Sequence, residues 1–344
     1  MILFKNPVLN SKHEMSKRIT KYVLATLLFN GAFFSQANAA DATEKGALQS
    51  SPEFCQNLPR PEYASLTRIN SLNPWFELYA VADGVTAIYE PFQWQEAISY
   101  LIEGSESALL FDTGNGIEDI AAVVATLTDK PITVLNSHGH YDHVGGNFAY
   151  SNILGMNTDF TRSKQAGQPN SNIRIEVSPE ALCLPPPSGV SEETHIGKGY
   201  TISTFIEDGH VINLGDRSLE VMLIPGHTPD AIALFDKDAG LLWTGDSFYA
   251  GPIWLYAPET DLEQYRDSLR HLISVEGVKW LLPAHNTPLV KPEVLPEVLV
   301  AFDDMLEGKL KKTAAWEGTV IYSPLNETSF SFLMRDETLP YSNN

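Results

Sequence analysis

A mixed α/β layered fold is predicted by the order of elements along this 344-residue chain. Strand-like runs come first, strand–helix alternation follows, and no internal repeat of fixed short period interrupts them. With 43% hydrophobic and 19% charged residues, the chain can build one large core or two small ones. Leu78 to Val81, Val85 to Tyr89 and Ala97 to Glu103 read as strands between turn signals such as Asp83-Gly84. Ala108 to Phe111 is a short apolar run ending in Asp112-Thr113-Gly114, and Ile117 to Leu127 has helical spacing of apolar residues. Ile132 to Leu135 reads as a buried strand. Residues 157–200 are polar and Pro-rich at Pro185-Pro186-Pro187, too long for a plain connection, and suggest an insertion near a functional face. Ser218 to Ile224, Ala231 to Phe235 and Leu241 to Thr244 are strand candidates. Leu262 to Val275 is an amphipathic helix with Asp261 available as N-cap. Val278 to Leu282 reads as a strand stopped by Pro283, and Val294 to Leu306 as a helix. Thr319 to Tyr322 and Ser329 to Leu333 make residues 313–344 a β-prone C-terminal tail.

The N-terminus reads as a targeting segment. Lys17, Arg18 and Lys21 precede a mostly apolar stretch from Tyr22 to Phe34, and Ala37-Asn38-Ala39 has the small-x-small pattern of a cleavage site. The expectation is a signal peptide over 1–39, with Met15 an alternative start, and an N-terminal arm over 40–75. The apolar run is too short to span a bilayer permanently, so no stable membrane anchor survives cleavage. A periplasmic or secreted protein follows. Lys and Arg number 23 against 43 Asp and Glu, a net charge of −20. Cleavage would remove five basic residues and Glu14, leaving −24. Such a surface repels phosphate backbones and argues against a nucleic-acid partner. The two cysteines, Cys55 and Cys183, are too few for a disulfide-dense scaffold or a cysteine zinc module. Both remain after cleavage and would meet an oxidising compartment. Their separation in sequence leaves open whether they pair.

Chemistry concentrates after Ile132 to Leu135. Ser137-His138-Gly139-His140-Tyr141-Asp142-His143-Val144-Gly145-Gly146 places four candidate metal ligands within six residues. Imidazole nitrogen and carboxylate oxygen are good zinc donors. His227 in Pro225-Gly226-His227-Thr228, His285 in Pro283-Ala284-His285-Asn286 and Asp246 in Thr244-Gly245-Asp246-Ser247 also lie just past predicted strands. His195, His210 and His271 fall outside any ligand pattern and read as surface or packing residues.

Together, HxHxDH, GHT, TGD and a late lone histidine resemble the metallo-β-lactamase superfamily, over residues 112–285. The resemblance implies an α+β fold, a four-layer αββα sandwich, with a catalytic domain over 76–312 and the metal site at one sheet edge. It implies that His138, His140 and His227 hold a first zinc, that Asp142, His143 and His285 hold a second, and that Asp246 bridges them. Asp112 would support the site from behind. Asp142 counts as catalytic as well as ligating. Two Zn²⁺, two carboxylates and a bridging hydroxide leave about one positive charge, suited to polarising a carbonyl. The implied function is an exported dinuclear zinc hydrolase cleaving a small-molecule ester, lactone, thioester or amide.

Asp246 stands where class B β-lactamases usually carry Cys or Ser, which favours the lactonase and glyoxalase II branches. Tyr249, three residues on, matches the spacing of a lactonase pocket tyrosine that donates to the substrate carbonyl. Asp230 and Ala231 depart from the residues that usually follow the GHT motif in those branches. Alternatives are a class B β-lactamase-like activity and a mononuclear iron enzyme resembling persulfide dioxygenases. Phe248, Tyr249, Trp254 and Tyr256 crowd the stretch after Asp246 and read equally well as pocket mouth or core.

Overall fold

The computed structural model describes residues 52–315, 318–326 and 328–336. The leader over 1–39 and its cleavage motif lie outside the described residues. Seventeen strands form three sheets among the described residues. The largest runs in sequence order through β1 (Thr67–Ile69), β2 (Glu77–Ala82), β3 (Val85–Tyr89), β4 (Ile98–Glu103), β5 (Ala108–Phe111), β6 (Ile132–Leu135), β7 (Ile153–Met156) and β8 (Thr204–Ile206). Its first five strands pair antiparallel, and β5 to β8 pair parallel. The second sheet contains β9 (Val211–Asn213), β10 (Ser218–Leu223), β11 (Ile232–Asp236) and β12 (Leu241–Gly245), with β14 (Trp280–Pro283) parallel to β12 at its edge. A small sheet joins β13 (Gly251–Trp254) to β17 (Phe330–Arg335), β16 (Thr319–Ser323) and β15 (Lys311–Ala314).

Period-two alternation gives the two large sheets two buried faces each. Ile102 and Leu109 of the first sheet pack with Leu219, Val221, Leu234 and Trp243 of the second, forming the core between them. Their neighbours Leu101 and Leu110 point the other way, onto Val123 and Val124 of helix α1 (Ile120–Leu127). On the far side, Met222, Ala233 and Leu242 meet Tyr265 and Leu269 of one long helix and Val298 and Phe302 of another. The layers are therefore helix, sheet, sheet, helix, the predicted αββα sandwich. Phe332 and Met334 of β17 extend the last of these cores.

Between α1 and these two long helices lie α2 (Tyr141–Val144), α3 (Asp159–Lys164) and α4 (Asn170–Ile173). The long pair are α5 (Leu262–Ser274) and α6 (Val294–Leu306). Asp119 accepts from Ala122 N at 3.1 Å, so α1 begins three residues later than its apolar spacing suggests. Asp261 caps α5 as predicted, accepting from Glu263 N and Gln264 N. Strands β1, β7, β8, β9, β13 and β15 have three or four residues, too few to show a period.

Residues 157–200 carry α3 and α4 and are tied to the loop after β3. Trp94 N donates to Ala181 O at 3.0 Å, and Cys183 N to Phe92 O at 2.8 Å. Cys55 and Cys183 form a disulfide, with Cα atoms 5.6 Å apart. Buried Tyr63 stacks on Tyr89, ring centroids 4.4 Å apart, and seats the segment before β1 on the first sheet.

Candidate metal centre

The candidate ligands gather at one edge because they all lie just past the ends of strands. β6 runs out into Ser137 through His143, β12 into Asp246 and β14 into His285. His227 sits on the connection from β10 to β11. There Gly226 has φ of +140°, and a Cβ would lie 2.3 Å from the Tyr265 backbone. Only glycine lets α5 press so closely on this connection. His140 precedes the single turn of α2, which turns Asp142 and His143 inward.

Six of the seven side chains form two adjoining triads, and the seventh, Asp246, groups with His138 of one and His143 of the other. His138 Nε2 and His140 Nδ1 are 2.9 Å apart, and His227 Nε2 is 3.2 and 3.1 Å from them. In the second triad, Asp142 Oδ2 lies 3.4 Å from His143 Nε2 and 3.6 Å from His285 Nε2. Asp246 stands between. Its Oδ2 is 3.5 Å from His227 Nε2, and its Oδ1 is 3.4 and 3.0 Å from His143 Nε2 and His285 Nε2. Each oxygen of one carboxylate thus faces a different triad.

Proton positions decide what these groups can bind. His227 Nδ1–H donates to Trp254 O at 2.8 Å and His285 Nδ1–H to Gln95 O at 2.7 Å, because a carbonyl can only accept. Asp112 Oδ2 takes the Nδ1–H of His143 at 2.9 Å, and Glu259 Oε1 takes the Nε2–H of His140 at 2.9 Å. Ser137 Oγ lies 3.1 Å from His138 Nδ1 and donates to Asp112 Oδ2 at 2.9 Å. The nitrogens turned toward each other are therefore bare lone pairs, which repel unless a cation lies between them. His143 Nε2 and Asp246 Oδ1 are buried without a hydrogen-bond partner among the described residues. A tetrahedral zinc with ligands at ~2.0–2.1 Å would separate them by ~3.3 Å. The spacings within the triads bracket that value, so the residues present fit a pair of metal ions.

Electrostatics divide the two triads. Burial, reinforced by the imidazoles around it, holds His138 well below the usual histidine range. Burial brings His227 down to about 4. For His143, burial is outweighed by Asp142, Asp246 and Asp112, which hold it well above, so without an ion these carboxylates draw onto His143 a proton that a bound cation would displace. The hydrogen bond with His140 brings Glu259 down to about 2.

Above the triads opens a largely apolar cavity of about 500 Å³, with His140, Asp142, His227, Asp246 and His285 among its lining residues. Phe54, Trp94, Trp254 and Tyr256 line it as well. Tyr249 also lines it, its ring 5.0 Å from that of His285, yet its hydroxyl donates to Pro252 O at 2.6 Å. The sequence reading assigned that proton to a substrate carbonyl. In the structure the hydroxyl is engaged within the chain instead: Tyr249 braces β13, also accepting from Trp254 N at 3.2 Å. Phe248 is fully buried in a core, whereas Tyr256 belongs to the cavity. His195 is buried away from the triads, and His210 and His271 are exposed.

Sequence reasoning missed Glu259 and Gln95. Gln95 orients two ligands, donating through Nε2 to Asp142 Oδ2 at 3.0 Å and accepting from His285 through its carbonyl. Neither residue lies in a recognisable motif, and each reaches its partner only through the tertiary fold.

A two-sheet scaffold with a histidine–aspartate centre at its edge defines the class: a metal-dependent hydrolase. The family profile described as Metallo-beta-lactamase superfamily matches residues 97–159 and 166–285. The chain belongs to this superfamily. It is 27% identical over 228 residues to the human acyl-coenzyme A thioesterase MBLAC2, covering 61% of this chain and 81% of the relative. A hydroxyacylglutathione hydrolase from Francisella tularensis is 36% identical over 83 residues, 24% of this chain and 33% of that one. Among solved structures, a metallo-beta-lactamase family protein from Thermus thermophilus superposes with a TM-score of 0.50 at 18% identity, covering 69% of this chain and 86% of that one. The sec-alkylsulfatase Pisa1 from Pseudomonas sp. gives a TM-score of 0.51 at 17% identity, covering 66% and 41%. These two likenesses establish the fold.

Proposed function

We propose that this chain is an exported dinuclear zinc hydrolase that cleaves an acyl bond in a small molecule, an ester or thioester foremost, with lactones and amides in the same chemical series. The observation that carries the reading is Asp246, which offers one carboxylate oxygen to each of two otherwise complete triads. A mononuclear iron site leaves the second triad without a purpose. The names of the human thioesterase and the Francisella hydrolase support acyl substrates.

His138, His140 and His227 would hold one ion, Asp142, His143 and His285 the other, and Asp246 both. Bound zinc supplies Lewis acidity toward a carbonyl oxygen and lowers the pKa of water. The chain supplies the rest. Asp112, Glu259 and the carbonyls of Gln95 and Trp254 fix the imidazole tautomers, so lone pairs face inward. Gln95 holds the Asp142 carboxylate in place. Trp94, Trp254 and Tyr256 surround the substrate with apolar surface and limit competing water.

Export is supported by the disulfide, since such bonds persist in oxidising compartments. N-terminal sequencing of the native protein is expected to begin near Ala40. Elemental analysis is expected to give two zinc ions per chain, with hydrolysis lost on chelation and restored by zinc. A panel of acyl esters, thioesters, lactones and β-lactams then ranks the substrates. One iron and no zinc would overturn the dinuclear reading.

A further inference from the structure

Three aromatic side chains of the cavity wall are ones that the folding cores do not use. Phe54, Trp94 and Tyr256 are half-buried and belong to none of the three hydrophobic cores among the described residues. All three line the cavity over the metal centre. The rings of Trp94 and Trp254 are 5.1 Å apart and those of Trp254 and Tyr256 5.3 Å, so they form one continuous wall. Apolar surface left half-exposed in a cleft is a standing reservoir of binding free energy for an apolar ligand.

Two of these residues, Phe54 and Trp94, precede the family-matched stretch, which starts at residue 97. Both are held from residues 157–200. Trp94 Nε1 donates to Glu176 Oε2 at 2.8 Å, and Gln93 Nε2 donates to the same oxygen at 3.0 Å. Phe54 is followed by Cys55, which is bonded to Cys183. A second anchor lies six residues on, where Arg60 Nε donates to Glu96 Oε2 at 2.7 Å and Arg60 Nη2 to Asn286 Oδ1 at 3.0 Å. Asn286 adjoins His285, so the arm is fastened beside the metal centre itself.

We infer that the Pro52–Arg60 arm is a substrate-selecting wall: Phe54, with Trp94, Trp254 and Tyr256, forms a subsite for a bulky apolar acyl group, and the Cys55–Cys183 bond holds Phe54 in place. The inference deepens the acyl-hydrolase reading and rests on it for the identity of the ligand. The disulfide then acts on specificity as well as on stability. An enzyme lacking it keeps its metal centre and loses discrimination between long and short acyl groups.

The test compares Phe54→Ala, Phe54→Leu and Cys55→Ser/Cys183→Ser with wild type, all zinc-loaded. Octanoate and acetate binding are followed by tryptophan fluorescence, and p-nitrophenyl octanoate and acetate hydrolysis by kcat and KM. Zinc content is the control and is expected to stay constant. Wild type is expected to bind octanoate at least tenfold more tightly than acetate. Phe54→Ala should weaken octanoate binding and raise KM for the octanoyl ester about tenfold, with kcat and the acetyl ester little changed. Phe54→Leu should recover most of the loss, and the double serine variant should shift KM in the direction of Phe54→Ala. Equal changes for both chain lengths, or none, overturn the subsite, and a double serine variant with wild-type octanoyl KM overturns the role of the bond. Binding needs no turnover, so the two readings fail separately. Octanoate bound through Phe54 without hydrolysis of either ester overturns the acyl-hydrolase reading alone.

Discussion

The two triads sit side by side and are built differently. His138, His140 and His227 are imidazoles only, drawn from two connections, and the brace of His140 is the partly buried Glu259. Asp142, His143 and His285 include a carboxylate and are backed by Asp112, which is almost fully buried. The first triad therefore borrows all its negative charge from Asp246, while the second has Asp142 of its own. One half relies on a shared carboxylate, and the other also holds a carboxylate of its own.

Asp246→Asn should break this contrast most severely. It removes the shared charge, so both ions are weakened, and the first triad is left with neutral ligands only. Loss of at least one zinc per chain and a fall in kcat of a hundredfold or more are expected, read by elemental analysis and steady-state kinetics. Full metal content with an unchanged rate would show that Asp246 bridges nothing.

Asp112→Asn should act mainly on the second triad, where Asp112 meets His143 directly, and more weakly on His138, which it reaches through Ser137. The amide no longer demands a proton from His143 Nδ1, so the tautomer that bares Nε2 loses its support. Outer partners of this kind are worth ~10–100-fold in metal affinity. Titration of zinc into metal-free protein should show one site weakened by about that factor and the other weakened less. Equal weakening of both would remove the distinction between the triads.

Glu90 sharpens the comparison through stability. It accepts from Trp75 Nε1 and Asn115 N, both at 2.9 Å, and so braces the loop that follows Asp112. Burial raises its carboxyl to about 7, against the hydrogen bonds from Trp75 and Asn115. The folded state therefore binds the proton more tightly than the unfolded chain does. Its contribution is fully present below the ordinary carboxylate pKa of about 4.5 and is lost as pH rises through about 7. Between pH 5 and 8 the unfolding free energy of wild type should fall by up to ~3 kcal/mol more than that of Glu90→Gln. Side-by-side denaturation curves cancel metal-linked changes, and parallel pH profiles would refute the assignment.

Tyr249→Phe is expected to have the smallest effect. Its proton serves Pro252 O, so kcat and zinc content should stay within about twofold of wild type. Stability should drop by ~1 kcal/mol for the lost hydrogen bond. A tenfold loss of kcat at full zinc content would return the hydroxyl to the substrate.

The seven clustered residues were legible because each follows a short apolar strand, and all but His285, which comes two residues after Pro283, sit beside a glycine or another ligand. Strands of five or six residues with clear turn signals were legible for the same local reason, β3 and β10 among them. Glu259 and Gln95 were not, since they meet their histidine partners 119 and 190 residues away in sequence. Tyr249 shows a finer limit. Spacing placed its ring at the cavity, but the direction of its hydroxyl depends on the turn to Pro252, which no spacing encodes. The pairing of Cys55 with Cys183 was equally a matter of the folded chain.

Asp246 and His285 leave neighbouring parallel strands, and the ladder between β12 and β14 pairs Gly245 with Pro283 just before them. Their 3.0 Å separation is thus clamped by backbone hydrogen bonds at both ends of the crossover that joins them. That crossover carries Trp254, Tyr256, Glu259 and α5. Trp254 O and Glu259 on it brace His227 and His140, while the side chains of Trp254 and Tyr256 face the cavity and can be exchanged with its two ends still in register. The architecture separates inheritance from innovation: the chemistry is anchored in the sheet, and new substrates can be explored on the loop it holds.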